Sequence, residues 1–197
     1  MKILVTGGTG LVGSRFVELH SNPDEILSPS HEELDITQPR ALKDHIATNQ
    51  PDVVVNFSAF TDVTAAENQR GQQNGDCWRV NVDGVKNFLS SIDPLKTHFI
   101  QISTDLVFPG SNERPGPYAE DDKPEANQSK LSWCGYSKSM AEQFIATNLA
   151  GQATILRLIY PVRAKFSRKL DYLRKPLKLF DEGKLYPLFS DQQVSIS

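Results

Sequence analysis

The sequence predicts an α/β fold, a parallel, doubly wound sheet with helices on both faces. Three observations predict it. Short apolar runs alternate with longer segments whose apolar residues recur at three- and four-residue spacing. Val53-Val54-Val55 is apolar on consecutive positions, as a strand covered on both faces should be. A cluster of glycines stands between the first apolar run and the first helical segment. Strands alternating with helices of about 10–15 residues imply right-handed β-α-β units, whose ligands bind outside the carboxyl ends of the strands.

Each element has its own warrant. Residues 2–6 read as a short buried strand. From Leu11 the pattern turns helical, with Leu11, Val12, Phe16 and Val17 on one face. Glu25-Ile26-Leu27 is the second strand, and residues 41–49 form a short helix started by Thr37-Gln38-Pro39. After the third strand, a helix carries Val82, Val85, Phe88, Leu89 and Ile92. Residues 98–103 form the fourth strand. Residues 108–130 are dense in Pro, Gly, Asn and Asp and read as loop. A loop this long inside a compact domain is more often functional than idle. Residues 135–149 read as helix and 153–158 as the fifth strand; past Tyr160 the pattern is basic and helical. The strand ends that would face a ligand are Thr6-Gly7, Asn56-Phe57-Ser58 and Ser103-Thr104-Asp105.

Composition narrows the classes. The chain has 197 residues, 39% hydrophobic and 23% charged, with a net charge of −3. That suffices for one domain and the start of a second. No apolar run approaches the roughly 20 residues of a membrane span, and the N-terminus runs into a strand without a signal-peptide layout. Mild acidity gives no reason to expect nucleic acid. Two cysteines, Cys77 and Cys134, are too few for a disulfide scaffold or a four-ligand zinc site. A cytoplasmic protein without membrane, nucleic-acid or metal partners is expected.

Gly7, Gly10 and Gly13 fit G-x-x-G-x-x-G across the strand-to-helix turn. The first permits the tight turn, the second lets a pyrophosphate approach the backbone, and the third lets the helix pack close. The anion then lies on the helix N-terminus, beside Leu11 and Val12. The spacing alone also suits a purely structural turn; its place after the first strand points to dinucleotide binding. The acidic ribose ligand usual after the second strand is missing, and Leu27-Ser28-Pro29-Ser30-His31 stands there. NADP or NAD is therefore expected, with no carboxylate to repel a 2′-phosphate. Glu32 and Glu33 read as exposed loop charges. Asp35, in Leu34-Asp35-Ile36, suits either the adenine amino group or a turn.

Gly7 to Gly13, Leu34-Asp35-Ile36, Pro51-Asp52-Val53-Val54-Val55-Asn56, Thr61-Asp62-Val63 with Ala66-Glu67, Asn81-Val82 and Ile102-Ser103-Thr104-Asp105-Leu106-Val107-Phe108 carry a resemblance. In this order they resemble the extended short-chain dehydrogenases/reductases, and within them the dTDP-4-dehydrorhamnose reductase (RmlD-like) family. The resemblance implies a Rossmann-type NAD(P)-binding domain over residues 1–160 and the beginning of a small substrate-binding region over 161–197. It implies hydride transfer from a nicotinamide cofactor to the 4-keto carbon of a nucleotide-linked 4-keto-6-deoxy sugar, and a homodimer as the assembly. Thr104 matches the residue that polarises the carbonyl, with Asp105 beside it. Lys138 matches the lysine that holds the nicotinamide ribose and lowers a tyrosine pKa. Asp35 and Ile36 match the adenine side, and Ser58, Ala59 and Phe60 the cofactor-lining segment. By residue type alone the last three are also a small-residue strand end. Tyr160 matches a substrate-facing aromatic, although Tyr160-Pro161-Val162-Arg163 replaces the usual Val-Tyr-Gly. An epimerase or dehydratase of the same fold, or a cofactor-binding protein without catalysis, are the alternatives.

The pattern breaks at one position. Trp133-Cys134-Gly135-Tyr136-Ser137-Lys138 puts Cys134 where the family has its proton-donating tyrosine. Tyr136, two residues before Lys138, lies on nearly the opposite side of the helix. A thiol is acidic enough, about 8.5 against about 10 for a phenol. Its sulfur, however, ends one bond beyond Cβ, and a general acid must come within roughly 2.6–3.2 Å of its target. Cofactor binding with slow reduction is expected. Cys134 as a nucleophile, with Lys138 favouring the thiolate, is the sharper alternative; Cys77 reads as an ordinary helix residue.

Residues 163–178 hold Arg163, Lys165, Arg168, Lys169, Arg174, Lys175 and Lys178, with Asp171 the one acid. This is either a solvated helix face or a clamp on the substrate diphosphate. The chain stops on Gln193-Val194-Ser195-Ile196-Ser197, an alternating run, and residues 188–197 resemble the stretch leading into more of the substrate domain. A fragment of a longer protein is expected.

Overall fold

The computed structural model describes residues 1–22 and 25–188. The run expected at 188–197 falls outside the described residues after Leu188. The elements are β1 (Ile3–Thr6), α1 (Leu11–Leu19), β2 (Ile26–Leu27), α2 (Pro39–Asn49), β3 (Val53–Asn56), α3 (Val63–Glu67), α4 (Asp76–Trp78), α5 (Gly84–Ser91), β4 (His98–Thr104), α6 (Trp133–Asn148), β5 (Ala153–Leu158) and α7 (Arg174–Asp181). A π-helical turn, Arg79–Asp83, joins α4 to α5.

The five strands lie in the order β2-β1-β3-β4-β5. β1 pairs in parallel with β2 and β3, and β3 with β4. The strand order therefore reverses between β1 and β3, which opens a crevice at their carboxyl ends. One face of the sheet is sealed by Leu4, Val54 and Phe99 against Leu42 and Ile46 of α2, Val85 and Phe88 of α5 and Ile145 of α6. Each such fully buried side chain contributes roughly 1.5–3 kcal/mol relative to exposure. The other face carries Ile3, Val5 and Val55, with Phe16 and Val17 packed against them. The doubly wound α/β sheet is thus present as the alternation of elements predicted.

Local chemistry sets the boundaries. α2 starts at Pro39, two residues earlier than the apolar pattern suggested, because proline is pre-set for a first helical position. α6 starts at Trp133 because the Ser132 hydroxyl caps it, accepting from the Gly135 amide at 3.1 Å. α3 went unforeseen; five residues are too few to show periodicity, and Asp62 caps it through the Ala65 amide. The 108–130 loop holds only short turns, yet is fastened from within. Phe108 stacks on Tyr118 at 4.1 Å, and the guanidiniums of Arg114 and Arg157 lie over that pair.

The chain divides into two compact units, Met1–Arg157 and Leu158–Ser197. In the second, Asp171 is buried and accepts from the Arg163, Leu173 and Arg174 amides and from Arg174 Nε at 2.7 Å. Tyr160, whose φ of 41° lies in the left-handed region, stacks on Tyr172 at 4.0 Å. No helix among the described residues is long and apolar enough to cross a membrane.

Candidate active site

The site is built on the carboxyl ends of β1, β3 and β4. Thr6, Asn56 and Gln101 stand side by side in register across these strands. Their buried side chains form a ladder. Thr6 Oγ1 donates to Asn56 Oδ1 at 2.8 Å, Asn56 Nδ2 to Gln101 Oε1 at 2.9 Å, and Gln101 Nε2 to the Ile102 carbonyl at 2.8 Å. Polar groups taken from water are satisfied by each other, which fixes the strand ends beneath the crevice.

The glycine turn rests on this floor. Gly7 has φ +69°, and a Cβ there would lie 2.6 Å from the Phe57 carbonyl carbon and the Ser58 nitrogen. A Cβ on Gly13 would strike the Gly7 carbonyl oxygen at 2.4 Å. Both positions demand glycine because backbone meets backbone. Gly10 opens α1 with no side-chain cap and no acidic residue in the first turn, where Leu11 and Val12 follow. Such a helix start suits an anion. Beyond β2, Glu33 accepts from the Ser30 amide at 2.7 Å and is exposed.

The remaining expected cofactor residues are used as follows. Asp35 Oδ1 accepts from the Thr37 amide at 2.9 Å. Burial works upward on its carboxyl, but Thr37, the His31 charge and Gln38 outweigh it and hold it below the usual range. Ile36 is a core residue whose side chain lies where a Gly84 Cβ would fall, and its carbonyl accepts from Asn87. Ser58 donates its amide to Asn56 Oδ1 at 3.1 Å. Phe60 is gripped at both backbone groups by Asn81, and Ala59 lies half-buried between them.

Lys138 is buried on α6 and donates from Nζ to the Ile102 carbonyl at 3.0 Å, two residues before Thr104. Burial lowers its pKa to about 8, against the pull of Cys134, Glu142 and Cys77. Thr104 Oγ1 donates to Asp105 Oδ1 at 2.9 Å and accepts from the Leu106 amide. Cys134 is buried, with Sγ 3.6 Å from the Phe60 carbonyl. The neighbouring Cys77 and burial push the thiol pKa up, and Lys138 only partly opposes this. A thiol held protonated is the reverse of an activated nucleophile. Tyr136 packs on Trp78 and Trp133, away from Lys138.

Several residues have roles in the site that the sequence did not show. Asn81, in the π-helical turn, links Phe60 of the β3 loop to Ser137 Oγ of α6 at 2.9 Å. π turns recur at functional sites, but periodicity does not reveal them. Glu142 is buried and accepts from Ser103 Oγ and from Arg157 Nη2 at 2.8 Å, tying β4, α6 and β5 together. Cys77 is a helix residue, as read, buried on α4 in one packed cluster with Cys134. Tyr160 and the basic segment belong to the second unit. There Arg174 donates to Asp171, the Phe166 carbonyl and the Lys169 carbonyl.

A model of the RmlD substrate binding domain matches residues 1–194. A probable dTDP-4,6-dihydroxy-2-methyloxan-3-one 4-ketoreductase of Streptomyces antibioticus is 34% identical over 162 residues, 80% of this chain and 50% of that protein. A dTDP-4-dehydrorhamnose reductase of Sinorhizobium fredii is 28% identical over 98% of this chain and 60% of its own length. The crystal structure of dTDP-4-dehydrorhamnose reductase from Bacillus anthracis in complex with NADP superposes with a TM-score of 0.75. It is 26% identical, over 92% of this chain and 61% of that one. The chain thus spans about half to six tenths of the length of these relatives. With the family match running over residues 1–194 and the sheet it requires in place, the chain belongs to the RmlD substrate binding domain family.

Proposed function

We propose that this chain binds NADP(H) and takes part in reducing the 4-keto group of a dTDP-linked 6-deoxy sugar, in the cytoplasm and as a homodimer. One observation carries the reading. The glycine turn after β1 and the Thr104–Lys138 arrangement at the end of β4 lie on the same carboxyl edge of one parallel sheet. The names of the three relatives given above, each a reductase of a dTDP-linked sugar, and the NADP held by the Bacillus anthracis enzyme supply the substrate and cofactor class.

The residues present fit a dinucleotide. Gly7 and Gly13 keep the turn free of side chains, and the start of α1 suits a pyrophosphate, with no acidic residue in its first turn to oppose one. When bound, the nicotinamide supplies the hydride. Lys138 holds the nicotinamide ribose, with its charge steadied by the Ile102 carbonyl. Thr104 turns its hydroxyl from Asp105 to the keto oxygen and polarises it. The proton comes from water, since Cys134 is too short and too firmly protonated to serve as the acid. Reduction is correspondingly slow. Tyr160 is a substrate residue by its match to the family's aromatic alone.

Cys134 favours a second reading, cofactor binding without turnover. NADPH fluorescence titration followed by an oxidation assay with a dTDP-4-keto-6-deoxy sugar separates the two. The expected result is saturable binding with slow, substrate-dependent oxidation. Binding with no oxidation selects the second reading, and absence of binding overturns both. Sedimentation of the purified chain tests the dimer.

A further inference from the structure

Cys77 and Cys134 are the only cysteines of the chain, and both are buried as free thiols. Each has a tryptophan as its neighbour in sequence, and Trp78 stacks on Trp133 at 5.4 Å and 23°. Two Cys-Trp steps therefore face each other, one on α4 and one at the start of α6. The Cys134 thiol donates to the Phe60 carbonyl at 3.6 Å, which also accepts from Asn81 Nδ2 at 3.2 Å. Cys77 Sγ also lies 3.6 Å from Ser137 Oγ and 3.7 Å from Asn81 Nδ2. Ser137 Oγ in turn donates to the Cys134 carbonyl at 2.7 Å. Both sulfurs stand on one hydrogen-bonded cluster that joins two helices, so their approach is held by the fold.

We propose that Cys77 and Cys134 are a redox site, closing an internal, reversible disulfide when the protein meets a peroxide. This stands apart from the reductase reading and needs neither cofactor nor substrate. The two thiols are unequal in the way the chemistry requires. The neighbouring Cys134, with help from Ser137, Asn81 and Lys138, brings Cys77 down to about 7 against the pull of burial, so an appreciable share is thiolate near neutral pH. Cys77 attacks the peroxide oxygen; the O–O bond breaks, a sulfenic acid forms and hydroxide leaves. The charge on Cys77 is then gone, and with it a large part of what held Cys134 protonated. Lys138, which favours its thiolate, remains. Cys134 attacks the sulfenic sulfur, the S–S bond forms, and the hydroxyl departs as water with the Cys134 proton. Overall two thiols and one peroxide give one disulfide and two waters. Only a small oxidant suits a pair this deeply buried.

The test is hydrogen peroxide added to the full chain, followed by denaturation, alkylation and intact-mass measurement. The expected product has lost two hydrogens, takes up no alkylating agent, yields a linked Cys77–Cys134 peptide pair and reverts with dithiothreitol. Fluorescence of Trp78 and Trp133, the chain's only tryptophans, should fall and recover with it. Cys77→Ser should abolish both changes. Two thiols still open to alkylation, stable addition of oxygen to one sulfur, or a disulfide between chains would each overturn the proposal. The mass readout on the unaltered protein decides the matter even if Cys77→Ser fails to fold.

Discussion

Lys138 Nζ donates to the carbonyl of Ile102 at 3.0 Å, so a buried ammonium of α6 is anchored to β4 two residues before Thr104. The bond gives Lys138 one partner where its ammonium could use three. The charge is thus under-solvated and left able to meet something at the strand end. Lys138→Met should abolish substrate-dependent NADPH oxidation. It should also alter how stability depends on pH. The folded pKa, about 8, lies below the usual lysine value, so the penalty of burying the charge is full below pH 8 and fades as pH rises. Wild type should gain on Lys138→Met between pH 7 and 10.5 by about 3 kcal/mol at most. Urea unfolding at a series of pH values measures the gap; a constant gap would refute the burial account.

Cys134→Tyr should speed NADPH oxidation by about 10²-fold or more, the usual contribution of a placed general acid. The ring must enter a space walled by Trp78, Trp133 and Cys77, which should cost about 1–3 kcal/mol. Turnover and melting temperature are read on the same sample. An unchanged rate in a folded variant removes Cys134 as the cause of slow reduction.

Arg157 covers the buried Glu142 carboxylate and extends to the Glu120 carbonyl. Arg157→Met should destabilise the protein by about 3–5 kcal/mol, because Glu142 is left charged without its partner. Glu142→Gln combined with Arg157→Met should cost clearly less than the sum of the two single changes. A double-mutant cycle by urea unfolding gives the coupling; strict additivity would show the two side chains to be independent.

Gly13→Ala should cost on the order of 1–3 kcal/mol, since its Cβ would press into the Gly7 carbonyl 2.4 Å away. The displaced turn should also weaken NADPH binding by about tenfold, or 1.4 kcal/mol. Fluorescence titration checks it, and wild-type affinity in the variant would detach the turn from the cofactor.

Regular elements were legible where apolar spacing was regular. Ala153–Leu158 falls where the fifth strand was read, and the strand–glycine–helix opening was plain from residues 2–17. The chemistry of the site was legible only as a pattern: Thr104 and Lys138 reach one strand end, but Thr104 turns out to spend its hydrogen bond on Asp105. What stayed hidden depends on contacts between distant segments. Asn81 shows in the sequence only as part of a short motif without a partner, until the chain closes and sets it between Phe60 and Ser137. Glu142 shows in the sequence only as an acid four residues after Lys138, and its partners Ser103 and Arg157 appear only in the fold. Spacing reports which face a side chain occupies and says nothing of what another element brings to meet it.

The π-helical turn at Arg79–Asp83 restricts how this segment can change in length. Such a turn carries one residue more than the α-helix around it. Losing any one of those residues would let the segment close as continuous α-helix, rotating everything before it by about 100° relative to α5. Asn81 would swing off Phe60, and Cys77 would leave Ser137. Side chains along this segment can be exchanged singly, each at its own cost, but an insertion or deletion there would dismantle several contacts at once. The spacing between Cys77 and Gly84 should therefore be the least negotiable length in the molecule outside the glycine turn.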